Sequence, residues 1–189
     1  MNMTPRLRKF ALTAHVVSSV GWLGSVAGFE ALAVAGLASQ DANMVRAAYL
    51  AMEPTAWFVI VPFAFASLLT GLVVSLGTKW GLFRHYWVLV KFLINILAII
   101  ILLLHTQLIG YVAGATADTT LLFSENLRGP RIQLVAISGA ALLALLVATT
   151  LAVYKPQGMT WYGARKQHEQ RKESHSIPAA PLHQLDYPK

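Results

Sequence analysis

The run Trp87-Val88-Leu89-Val90-Lys91-Phe92-Leu93-Ile94-Asn95-Ile96-Leu97-Ala98-Ile99-Ile100-Ile101-Leu102-Leu103-Leu104-His105 carries one charged side chain, Lys91. At about 1.5 Å per helical residue it covers the ~30 Å hydrocarbon layer of a bilayer. It reads as a membrane span. At about 100° per residue, Trp87, Lys91, Asn95, Ala98, Leu102 and His105 fall within roughly 40° of one line, and Ile, Leu and Phe cover the remainder. A charge facing lipid is costly, so this polar face predicts partners on other spans.

Composition extends that reading to the whole chain. The 189 residues are 56% hydrophobic and 12% charged, with a mean hydropathy of +0.57, which fits several membrane spans better than a soluble domain. Cysteine is absent, which excludes disulfides, iron–sulfur clusters and thiolate metal sites. The formal charge of +7 sits in the tails and one short loop. That distribution argues for membrane orientation and against nucleic acid as a partner.

Four spans are predicted. The first runs from Phe10 to about Leu37 behind Arg6, Arg8 and Lys9, and is too long for a signal peptide h-region of roughly 7–15 residues. Asp41 to Glu53 is a mixed helical stretch leading into the second span, Pro54 to Gly77, with a kink expected at Pro62. A turn over Thr78 to Arg84 precedes the third span. Gly114 to Pro130 is expected as a loop, and Arg131 to Tyr154 as the fourth span with Pro130 at its start. Residues 156–189 form a polar, Pro-containing tail, expected to be disordered, and residues 1–155 a transmembrane domain. Eleven of the 15 Lys and Arg residues fall on the side of the two tails and the second loop, so both termini are expected to be cytoplasmic. The fold class is therefore all-α, an integral membrane four-helix bundle, in the plasma membrane of a bacterium.

Small residues line two spans: Gly21, Gly24 and Gly28 on the first, and Ala136, Ala140, Ala144, Ala148 and Ala152 on the fourth. Such ridges let helices approach closely, within the chain or between copies.

On the first span His15, Ser19, Trp22, Val26 and Ala33 form a stripe opposite the glycines, with Glu30 beside it. His15 and Lys91 lie at matching depth, each roughly 8 Å in from the same surface. His105 lies roughly 20 Å beyond Lys91 on its helix. His85 sits at the cytoplasmic boundary, and His168, His175 and His183 fall in the tail. Copper is disfavoured, because soft Cu(I) prefers Cys and Met and only Met44 and Met52 lie together.

His15 followed by Trp22-Leu23-Gly24, then Pro62 and Gly71, then Trp87, Lys91 and His105, resembles HemJ-type protoporphyrinogen IX oxidases and copper-resistance protein D-like membrane domains. The same pattern is similar to a family of small bacterial membrane proteins with no assigned function. The resemblance implies a haem-associated site at His15 and Lys91, with His15 as metal ligand and a b-type haem as cofactor. Trp22, Trp87 and His105 complete the expected cofactor-binding set. The Pro-Arg-Leu-Phe-like motif of those oxidases is replaced here by Phe29-Glu30-Ala31-Leu32, so their reaction is not carried over, and whether the chain is an enzyme stays open. Two readings result: a haem-binding bundle for electron transfer or haem handling, with a redox partner or a second copy, and a cofactor-free bundle serving as an assembly subunit, channel or small transporter.

Overall fold

The computed structural model describes residues 3–77, 86–117, 124–154, 160–161 and 164–165. Among them are five α-helices: α1 (Pro5–Ala38), α2 (Ala42–Thr55), α3 (Val61–Leu76), α4 (Tyr86–Ala117) and α5 (Glu125–Tyr154). The π-helical turn Ala56–Ile60 joins α2 to α3, so Ala42–Leu76 is one rod. With it there are four helices long and apolar enough to cross a membrane.

Local chemistry sets the helix ends. Thr4 caps α1 by accepting from the Leu7 amide at 3.4 Å, with Pro5 at the first position, where a missing N–H costs nothing. Asp41 caps α2 by accepting from the Asn43 amide at 3.0 Å, and Ser39 Oγ accepts from the Asp41 amide at 3.1 Å. These two bonds close the turn between the first two rods.

Where a kink is expected at Pro62, the second rod contains a widened turn. Pro62 has no N–H to bond the Phe58 carbonyl and its ring would press on that group; the wider turn upstream, with the Val61 amide donating to Ala56 O, absorbs the conflict. The third span also outruns its predicted end, with α4 continuing to Ala117. The loop expected over Gly114 to Pro130 shrinks accordingly, since α5 begins at Glu125 and holds Pro130 inside it. The expectation that Pro130 starts the helix is corrected. Its lost hydrogen bond would have gone to the carbonyl of Asn126, an exposed first-turn residue, where little is forfeited.

The helices run alternately up and down. α1 packs on α2 and α3 to one side and on α5 to the other, while α4 packs on α2, α3 and α5. α1 and α4 therefore face each other diagonally across the interior. Residues at helical spacing fill its middle: Trp22, Val26, Phe29 and Ala33 from α1 meet Tyr49, Met52, Ala56 and Ile60 from the second rod and Ile99, Ile109 and Leu134 from α4 and α5. The outer surface is apolar, with Phe58, Leu69, Leu104 and Leu143 all exposed. Such a surface suits contact with lipid.

The small-residue ridges are used only in part. A Cβ on Gly21 would lie 2.8 Å from the Phe63 ring, so α1 and α3 meet there through the glycine. Gly24 and Gly28 have nothing within 4 Å, and Ala136 and Ala140 are exposed while Ala148 is buried. The expected inter-helix contacts at Gly24 and Gly28 are thus not made among the described residues. Helices crossing at an angle touch over a few turns and then diverge. His85, the turn over Thr78 to Arg84 and most of the tail lie outside the described residues. Within the tail, the Ala164 amide donates to Thr160 O at 3.0 Å.

Candidate functional site

At the end of the bundle that carries Pro5, Leu76, Tyr86 and Tyr154, the helices enclose a cavity of about 890 Å³. His15, Ser19 and Trp22 line it from α1, Ser67 and Gly71 from α3, Trp87, Lys91 and Asn95 from α4, and Leu145 and Ala148 from α5. Arg8 and Lys9 stand at its open end. Four of the five residues singled out in the sequence for a cofactor, His15, Trp22, Trp87 and Lys91, thus line one cavity.

His15 is held in a defined orientation. Its Nδ1 lies 3.1 Å from Ser67 O and 3.2 Å from Thr70 Oγ1. A carbonyl only accepts, so Nδ1 carries the hydrogen. The Thr70 hydroxyl proton is directed to Ala66 O at 2.6 Å, which leaves its oxygen free to accept from the same ring nitrogen. In the neutral imidazole Nε2 then holds the lone pair. The seat depends on Gly71, because a Cβ there would come within 2.9 Å of His15 Cε1. Around it, Ser19 and Ser67 exchange a hydroxyl hydrogen bond at 2.8 Å, and Ser18 Oγ donates to His15 O at 3.1 Å.

Lys91 approaches from the opposite corner. Its Nζ sits 5.9 Å from the centre of the Trp87 ring, one turn back on α4, a cation–π contact that steadies the ammonium on the cavity wall.

His105 stands elsewhere. It is 14 residues beyond Lys91, about 21 Å along α4, and is absent from the cavity wall. Its Nε2 is buried without a hydrogen-bond partner. The side chains of Trp22, Phe29, Met52 and Ile99 fill the middle of the bundle, between the cavity and this residue's level. Among the described residues no group of three or more His, Asp or Glu is placed to hold a metal ion.

The far half of the bundle makes its own polar contacts. Ser138 on α5 donates to the Glu30 carboxylate, which lies beside Gly139. Ser138→Ala is expected to cost about 1–3 kcal/mol by leaving that carboxylate without its hydroxyl. Ser25→Ala, which removes only a bond to its own helix at Trp22 O, is expected to change stability by less than about 0.5 kcal/mol. Thermal unfolding in detergent, followed by circular dichroism, distinguishes them.

Sequence reasoning missed Ser67 and Thr70, the residues that orient His15. One signal was present: Ser67, Thr70 and Gly71 sit at i, i+3 and i+4 in an otherwise apolar run, the spacing of one helix face. Comparison with family models, with curated proteins and with solved structures finds no match for this chain.

Proposed function

We propose that the chain is a multi-pass membrane protein whose cavity binds an amphipathic, acidic ligand, and that b-type haem is the ligand His15 selects, for electron transfer or haem handling. In this reading the basic end of the bundle, with Arg6, Arg8 and Lys9, faces the cytoplasm of a bacterial cell. A second copy packing on Gly24 and Gly28 belongs to the same proposal.

One observation carries the reading: an imidazole on the wall of an intramembrane cavity, with Nδ1–H anchored on Ser67 O. Metal-ligating histidines characteristically donate their second ring N–H to a carbonyl or carboxylate, which fixes the ring and raises the basicity of the ligating nitrogen. The remaining wall suits the rest of the group. Lys91, Arg8 and Lys9 would meet propionates, Trp22 and Trp87 would pack on a flat ring, and the volume lies in the range of ligand pockets, roughly 300–1,000 Å³. Bound haem would supply one-electron chemistry, while His15 orients it and the apolar core shields it from water. Among the described residues His15 is the one imidazole on the cavity wall, so it is the residue that would hold the iron.

The rival reading is a cofactor-free bundle, an assembly subunit or a channel- or transporter-like protein, and it draws on the same hydrogen bonds, since His15 is already satisfied by Ser67 and Thr70. The absorption spectrum decides between them. Protein purified in mild detergent after expression with haem supply is expected to show a Soret band that sharpens on dithionite reduction; a folded, colourless preparation overturns the haem reading. Gly71→Ala is expected to lower haem affinity by about 10-fold, because the added methyl displaces the anchored ring. Haem titration monitored at the Soret maximum checks this.

A further inference from the structure

The cavity wall is not equally closed on all sides. From α3 it is lined by Ser67 and Ser75, both buried, and by half-buried Leu68, Gly71 and Val74; from α4 by buried Val88 and Asn95 and half-buried Trp87, Lys91 and Phe92. The two remaining helices behave differently. On α1, Leu12, Val16 and Val20 line the cavity yet are 51%, 51% and 63% exposed, and on α5 Val153 lines it at 71% exposed. Thr149 is also exposed. Among the described residues, every exposed side chain on the cavity wall therefore belongs to α1 or α5. Side chains that line the cavity and keep half or more of their surface uncovered mark the thinnest part of its wall.

We infer that the cavity opens sideways into the bilayer between α1 and α5, and that its ligand is a membrane-dissolved amphiphile that enters there, its apolar part in the gap and its acidic group at Lys91 with Arg8 and Lys9. The inference rests on the proposed membrane placement and on the cavity as a ligand site, not on haem being the ligand. The chemistry of the gap fits this route. Its rim is Leu12, Val16, Val20 and Val153, which a chain or flat ring passes without stripping water from polar groups. The cations stand at the open end of the bundle, where an acidic headgroup would lie level with the membrane surface. Asn95 and the Ser19–Ser67 pair lie deeper.

Trp22 provides the reporter, because it lines the cavity while only 3% exposed. The full chain carrying Phe at Trp57, Trp80, Trp87 and Trp161 is reconstituted in phosphatidylcholine vesicles containing a brominated fatty acid, a heavy-atom quencher with one carboxylate. A companion protein retains only Trp57, which is 47% exposed. Trp22 is expected to be quenched at least half as strongly as Trp57, and Val20→Phe, which narrows the gap, is expected to remove more than half of the Trp22 effect without altering that on Trp57. Lys91→Gln is expected to raise the fatty-acid concentration needed severalfold. Trp22 that stays unquenched, or quenching indifferent to Val20→Phe, overturns the inference. Should the four-Phe protein fail to fold, a reporter retaining both Trp22 and Trp87 serves the same comparison. Quenching in a protein that shows no Soret band sinks the haem reading alone, and a Soret band with unquenched Trp22 sinks the lateral opening alone.

Discussion

His15→Ala is expected to abolish the Soret band of haem-supplied protein, weakening haem binding by at least about 100-fold, while the helical circular dichroism signal is retained. The expected separation of binding from folding follows from the hydrogen bonds. Removing the imidazole takes one donor from Ser67 O, but this carbonyl lies inside α3 and keeps its backbone partner one turn on, so no buried acceptor is orphaned and the cost to stability is about 0.5–1.5 kcal/mol. Binding has no such reserve, because His15 is the one imidazole on the wall among the described residues. Lys91→Ala should act more mildly. A charge-assisted contact contributes about 1.5–3 kcal/mol, on the order of 10- to 100-fold in affinity, with the band position unchanged because His15, the proposed iron ligand, is untouched. His105→Ala is expected to leave the spectrum as it is. If His15→Ala keeps the band and His105→Ala loses it, the haem site lies in the far half of the bundle and the assignment to this cavity is wrong.

What could be read from the sequence, and what could not, divides along one physical line. Helical periodicity and the thickness of a bilayer are properties of single segments, so the four long apolar helices and the inward stripe of Trp87, Lys91, Asn95 and Ala98 were legible without any knowledge of packing. Properties of pairs of helices were not. Gly21 and Gly28 lie within about 20° of one line on α1, yet Gly21 meets Phe63 and Gly28 meets nothing, a difference set by where α1 and α3 diverge. The seat of His15 was hidden for a related reason: Thr70 can satisfy its hydroxyl on any helix by bonding a carbonyl three or four residues back, and the Ser67 group that His15 uses is a backbone carbonyl, which every residue carries. Nothing in the pattern of α3 announces that a histidine 52 positions earlier will share those groups. The run of helix through Pro130 was obscured differently, since proline is costly in a helix interior but forfeits little near an exposed first turn.

The same pairwise geometry sets the second large expectation, in which three glycines of one helix respond differently to one substitution. Gly36→Val is expected to destabilise the protein by about 1–3 kcal/mol or more, measured as a fall in the thermal midpoint in detergent. A Cβ at Gly36 would lie 2.7 Å from Tyr49 Cε2 and 2.8 Å from Cζ, and the ring has no direction in which to yield. Tyr49 is among the most deeply buried side chains in the chain, and the Arg131 guanidinium lies 5.0 Å from its ring centre, where a cation–π contact holds it. Driving the ring away from Gly36 therefore disturbs Arg131, a charged side chain in the interior whose displacement toward lipid would be costly. A Cβ at Gly24 or Gly28 meets no atom within 4 Å, so Gly24→Val and Gly28→Val should leave the midpoint of the monomer nearly unchanged. Tyr49→Leu, which removes the ring from the clash, should recover part of the loss in Gly36→Val. Equal effects at Gly36 and Gly28 would mean that valine perturbs α1 by its backbone preference alone, and the tight contact between α1 and α2 at Tyr49 would then have to be abandoned.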